Sequence, residues 1–153
     1  MRPCLRVFGL LGVLVACAIP APWSPAAADQ ARYANAHLLV DAAWLQTRLG
    51  DPGLRVVDLR APRAYAGGHV PGAVNLRVEE MGGTAVPALG DRLGRAGIAA
   101  DHTVVLYDDQ AGLHASRLFL TLEYLGHDRV HILDGGFPAW SAAGGALTRA
   151  PPR

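Results

Sequence analysis

The residues best placed to do chemistry lie in one short stretch. Val104-Val105-Leu106-Tyr107 is a continuous apolar run, it breaks into Asp108, Asp109, Gln110, Ala111, Gly112 and Leu113, and an apolar pattern then resumes through Leu118, Leu120, Leu122 and Leu125. That order predicts strand, loop, helix. Ligands of open α/β sheets bind outside the carboxyl ends of the strands, where the following helix offers unpaired N–H groups. The adjacent carboxylates of Asp108 and Asp109 suggest a metal or phosphoryl site. Against it, neighbouring side chains point apart, no further acid is near in sequence, and the chain has no lysine. The simpler expectation is an acid that caps the next helix and binds loop N–H groups, with no metal and no cofactor. His114, one turn into that helix, could serve as acid or base, but a solvated helix histidine is the plainer reading.

The composition narrows the chemistry. At 153 residues and 51% hydrophobic, the chain holds one domain with a real core and hardly two. Net charge is +1 and no basic block stands out, so no nucleic-acid surface is expected. All fourteen cations are arginine, which excludes a P-loop, a Schiff base and lysine-assisted phosphoryl transfer.

The N-terminus has the pattern of an export signal. Arg2 and Arg6 precede an apolar run from Val7 to Ile19, too short for a comfortable membrane span, and Ala26-Ala27-Ala28 supplies small residues for cleavage. Leu14-Val15-Ala16-Cys17 also resembles a bacterial lipobox, in which Cys17 would be lipidated. We therefore expect residues 1–28 to be a signal peptide, or a lipoprotein signal ending before Cys17, in an exported periplasmic or envelope protein of a bacterium. Membrane contact is expected only through that signal or a lipid anchor. Cys4 and Cys17 are the only cysteines, so the mature domain has neither a disulfide nor a free thiolate nucleophile. Cleavage after Ala28 removes two arginines and leaves twelve against thirteen acids, a balance that says little about partners.

Several elements must position the loop. Residues 29–36 are a polar leader into a domain expected over 37–145, with 146–153 a linker-like tail. Leu38-Leu39-Val40 predicts a strand, and Asp41 the N-cap of a helix bearing Trp44, Leu45 and Leu49. Leu54–Leu59 predicts a second strand with Asp58 and Arg60 at its carboxyl end. A short helix from Pro62 through Tyr65 leads to the turn His69-Val70-Pro71-Gly72 and a third strand, Ala73–Leu76. Residues between Arg77 and Pro87 are turn-like, and a helix follows from about Pro87 to Arg95. Val104–Tyr107 and Val130–Leu133 predict the last strands, Leu113–Leu125 the helix between them. Asp134-Gly135-Gly136 predicts a turn and Phe137–Ala143 a last helix that buries Trp140; Trp44 is expected in the core too. Short apolar strands alternating with helices imply an α/β domain, an about five-stranded, mostly parallel sheet with helices on both faces.

Taken together, several phrases resemble the rhodanese-like sulfurtransferase domain. Val57-Asp58-Leu59-Arg60, then Tyr65 and Gly68-His69-Val70-Pro71-Gly72-Ala73-Val74-Asn75-Leu76, look like that family's first signature, and Leu133-Asp134-Gly135-Gly136-Phe137-Pro138-Ala139-Trp140 like its closing one. The family carries a persulfide on a cysteine after the fourth strand, where loop N–H groups stabilise charged sulfur. The resemblance places Asp108 where that cysteine belongs, and a carboxylate cannot accept sulfane sulfur. Tyr107-Asp108-Asp109 ahead of Gly112, with Ala115-Ser116-Arg117 opening the helix, is most similar to the non-catalytic amino-terminal half of tandem thiosulfate or 3-mercaptopyruvate sulfurtransferases.

The resemblance implies a domain inactive alone, partnered by a second, cysteine-bearing rhodanese domain or another protein. The alternative is a stand-alone envelope binding or scaffold module that takes an anion or protein at the inactive loop. Arg60 and Arg117 are candidate contacts for a small sulfur-containing anion, Arg117 foremost because its guanidinium can fork toward an oxyanion. Asp58, His69, Gly72, Gly135, Gly136 and Trp140 are expected to hold loops and core.

Overall fold

The structure is a computed structural model that describes residues 35–77 and 86–152. The expected signal with Cys17, most of the leader and most of the turn-like stretch before the third helix lie outside those residues. A 3-10 turn, Ala36–Leu38, leads into strand β1 (Leu39–Val40). Then follow α1 (Ala42–Arg48), β2 (Leu54–Asp58), α2 (Pro62–Gly67), β3 (Val74–Asn75), α3 (Val86–Arg95), β4 (Thr103–Tyr107), α4 (Leu113–Tyr124), β5 (Val130–Leu133) and α5 (Gly136–Ala142). Among the described residues the sheet has five strands in the order β1-β5-β4-β2-β3, and every pairing is parallel. The expectation of a mostly parallel sheet thus becomes one that is wholly parallel.

Strand periodicity sorts the core into two layers. Successive residues of β4 point to opposite faces, so Val104 and Leu106 join Leu118, Phe119 and Leu122 of α4 and Leu93 of α3 on one face. Val105 and Tyr107 join Leu45 of α1 and Trp140 of α5 on the other. β4 is central, with neighbours on both sides, and its last four residues are buried, which is why it reads as an unbroken apolar run. Asp41 caps α1, its Oδ1 accepting from the Trp44 N–H at 2.7 Å. Trp44 itself is only half-buried, with the Arg48 guanidinium 4.4 Å from its ring centroid, so it is less of a core residue than its size suggests. Trp140 is fully buried.

The segment expected as a linker-like tail over 146–153 makes specific contacts with the domain. Thr148 and His69 exchange backbone hydrogen bonds at 2.9 Å in each direction, an isolated antiparallel bridge. The Trp140 indole N–H donates to the Ala146 carbonyl at 3.0 Å, and Arg149 Nε donates to the Gly67 carbonyl at 3.0 Å. A buried indole and a buried imidazole both need polar partners, and this segment supplies them. Its proline-rich composition hides those contacts.

Candidate functional site

The loop between β4 and α4 is organised by Asp108. Its side chain is 1% exposed. Oδ1 accepts from the backbone N–H groups of Gln110 at 3.0 Å and Gly112 at 2.9 Å, and Oδ2 from those of His114 at 2.8 Å and Ala115 at 3.0 Å. The formal N-cap of α4 is Gly112, which has no side chain to offer, so Asp108 satisfies the first-turn donors from four positions upstream. Burial opposes the charge of this carboxyl, but the four N–H groups together outweigh it and hold the group below the usual carboxylate range. Ala111 adopts φ +52° to wrap the loop around the carboxylate, the one non-glycine residue with positive φ among the described residues.

Glycine lets the next layer approach. Gly136, at φ +58°, sits so close to the loop that a Cβ there would overlap the Asp108 carbonyl oxygen. That carbonyl accepts from the Phe137 N–H at 2.8 Å, tying the start of α5 to the loop. Gly135, also with positive φ, makes the tight entry into α5.

A second network lies beneath, centred on Asp58 at the end of β2. Arg60 Nε lies 3.1 Å from both Asp58 oxygens and its Nη2 2.6 Å from Oδ2, with a further bond to the Gly68 carbonyl at 2.8 Å. The Tyr107 hydroxyl donates to Asp58 Oδ2 at 2.6 Å and accepts from the Val70 N–H at 3.2 Å. Burial, then the charge of Asp58 and its hydrogen bond, push the Tyr107 hydroxyl far above its ordinary value. The Arg60 guanidinium also lies 3.5 Å from the centroid of the Phe137 ring. Burial would lower the Arg60 pKa, but its bonds and attraction to Asp58 outweigh this and raise it.

The expected site residues therefore separate. Asp108, Gln110, Ala111, Gly112, Leu113 and Gly136 line one cavity of about 770 Å3 at the loop. Asp109 is exposed and does not line it, and the described residues hold no cluster of acids, histidines or cysteines fit for a metal. Arg60 is 4% exposed with its charge matched by Asp58. Arg117 is exposed on α4 and does not line the loop cavity. His114 is half-buried and lines a smaller cavity of about 190 Å3 with Arg60, Arg77 and Gln110. His69 is buried under the Tyr65 ring, 3.8 Å between centroids, with Nδ1 3.1 Å from the Tyr65 carbonyl and Nε2 3.1 Å from that of Ala150. Gly72 follows Pro71 in the turn that Val70 and Ala73 close by a 3.0 Å backbone bond. Sequence reasoning missed Tyr107 and Phe137 as partners of the Asp58–Arg60 pair. A tyrosine ending an otherwise aliphatic strand was the available signal, since a buried hydroxyl requires a partner.

A wholly parallel five-stranded sheet, with a closed loop around a carboxylate at the end of its central strand, defines an α/β domain of the open-sheet class. The rhodanese-like domain model matches residues 41–143, and the chain belongs to that family. It is 36% identical over 129 residues to a thiosulfate sulfurtransferase of Pseudomonas aeruginosa, covering 78% of this chain and 48% of the relative. It is 38% identical over 132 residues to a probable 3-mercaptopyruvate sulfurtransferase of the same organism, covering 72% and 46%. The chain thus spans about half the length of the curated relatives it matches. Among solved structures, the Escherichia coli 3-mercaptopyruvate sulfotransferase SseA superposes with a TM-score of 0.67 at 25% identity, over 76% of this chain and 53% of that one. A rhodanese-like protein of Anabaena gives 0.59 at 27% identity, over 74% and 80%.

Proposed function

We propose that this domain is the non-catalytic half of a thiosulfate or 3-mercaptopyruvate sulfurtransferase, and that it packs beside a cysteine-bearing rhodanese domain and helps wall its pocket. The observation that carries this reading is the Asp108 carboxylate held by four N–H groups at the position that the family resemblance gives to the persulfide cysteine. Those donors suit a charged sulfur, but here a carboxylate fills them, and it has no empty or exchangeable valence for sulfane sulfur. The chain has no cysteine between residues 35 and 152 to take over the role. Relatives about twice as long leave room for a second domain. Purified protein should release no thiocyanate from thiosulfate and cyanide above the uncatalysed rate. A rate proportional to protein concentration overturns the proposal.

We further propose that the domain is exported, a reading supported by the apolar run and small residues of 1–28. Mass spectrometry of the protein from cell envelopes tests this: a mature chain beginning near Asp29, or a lipidated Cys17, is expected. An intact Met1 in the soluble cytoplasmic fraction contradicts it.

A further inference from the structure

His69 is 1% exposed and lies between α2 and the segment 146–150. Both of its ring nitrogens face backbone carbonyl oxygens, Nδ1 that of Tyr65 and Nε2 that of Ala150, each at 3.1 Å. A carbonyl oxygen only accepts, so each nitrogen must donate to bond there. A neutral imidazole carries one N–H and makes one of the two bonds, and its other nitrogen then sets a lone pair against an oxygen. The imidazolium makes both. The Tyr65 ring, stacked on the imidazole at 10° with 3.8 Å between centroids, presents a face that favours a cation. Tyr65 belongs to α2 and Ala150 to the tail, so whichever nitrogen loses its proton, the tie between the two is cut at one end.

Charged and titratable groups surround the ring from four sides. On α2, Tyr65 keeps its hydroxyl on the Ala73 carbonyl at 2.7 Å. From the end of β2, Arg60, paired with Asp58, donates to the Gly68 carbonyl at 2.8 Å. From β4, the Tyr107 hydroxyl accepts from the Val70 N–H at 3.2 Å. From the tail, Arg149 donates to the Gly67 carbonyl at 3.0 Å, and it is the one charged residue of 146–152. Two guanidiniums thus sit on the carbonyls just before His69. They and burial work against a second ring proton, while the two acceptors and the Tyr65 face work for it. A histidine proton held between opposing forces is one that pH can remove. We propose that His69 is a proton-controlled latch: with both nitrogens protonated it ties residues 148–150 to α2, and on loss of one proton those residues loosen from the domain. The Trp140 bond to Ala146 keeps the start of the segment in place. The latch stands whether or not the domain partners a sulfurtransferase.

NMR of the 15N-labelled full chain between about pH 5 and pH 8 tests it. Two-bond nitrogen–proton spectra read each ring nitrogen directly, and His69 should show two protonated nitrogens at the acid end and one at the other. The Thr148 N–H donates to the His69 carbonyl at 2.9 Å and reports on the tail. Its hydrogen-exchange protection, corrected for the intrinsic effect of pH, should fall roughly fivefold across the range, as loss of one net hydrogen bond allows, while the β4 amides keep theirs. In His69→Gln the protection of Thr148 should no longer depend on pH; if that variant does not fold, the wild-type spectra decide alone. The proposal is overturned by a ring that keeps one protonation state throughout, by a ring titration that the protection of Thr148 does not follow, or by a pH dependence of that protection that His69→Gln retains.

Discussion

Asp108 organises a whole loop with one side chain. Its two oxygens receive four backbone donors, and an amide could not do the same, since an Asn side chain has one acceptor and turns N–H toward N–H. Asp108→Asn should therefore lower the free energy of unfolding by roughly 2–4 kcal/mol, read from urea titration at neutral pH. The penalty depends on pH in a defined sense. The folded-state pKa of Asp108 lies below its unfolded value of about 3.9, so its stabilisation is complete above that value and lost as pH falls through the folded one. The stability gap between wild type and Asp108→Asn should accordingly narrow below about pH 4. A gap that stays constant down to pH 2 would mean that the carboxylate is not held as described.

At the scale of elements, the loop keeps its shape because α5 begins against it. Gly136 must hold φ +58° while its Cα faces the Asp108 carbonyl, so Gly136→Ala combines a strained backbone with an overlap against main chain that cannot rotate away. About 3 kcal/mol of destabilisation is expected in thermal or urea unfolding. Beneath the loop, Asp58 joins β2 to Arg60, to Tyr107 at the end of β4 and, through Arg60, to Phe137 of α5. Asp58→Ala leaves a buried guanidinium without its counter-charge and a tyrosine hydroxyl without its acceptor. The cost should be about 3–5 kcal/mol in urea unfolding, larger than that of Asp108→Asn, because two partners are orphaned rather than a set of partly solvated loop amides.

Over the whole molecule, the segment 146–150 closes the domain rather than leaving it. It caps the indole of Trp140, pairs with His69 and brings Arg149 to the Gly67 carbonyl. Deleting residues 146–153 should take the partners from the buried Trp140 indole and the buried His69 and lower the melting temperature by several degrees, as a loss of about 2 kcal/mol does in a domain of this size. A tail that served only as a spacer would be removed without effect on unfolding. Pro152 lines a cavity along β3 together with Tyr65 and Leu76, so the truncation should also disturb the NMR signals of those two residues.

The sequence by itself determined the α/β class, the order of strands and helices, and the place of the loop, because strand runs and helix periodicity are local patterns that burial enforces. It also determined that the loop carries a carboxylate and no thiol, which is a matter of residue identity alone. Only the tertiary structure decided which charges meet. Arg60 and Arg117 look equivalent as cations in the sequence. The fold buries Arg60 against Asp58 and leaves Arg117 on an exposed helix face. Likewise Tyr107 reads as one more apolar strand residue, and Thr148 as part of a proline-rich tail, until the sheet brings each to a buried partner far along the chain. Such pairings arise between residues separated by dozens of positions, where no local propensity acts, and the need to satisfy every buried polar group selects among them.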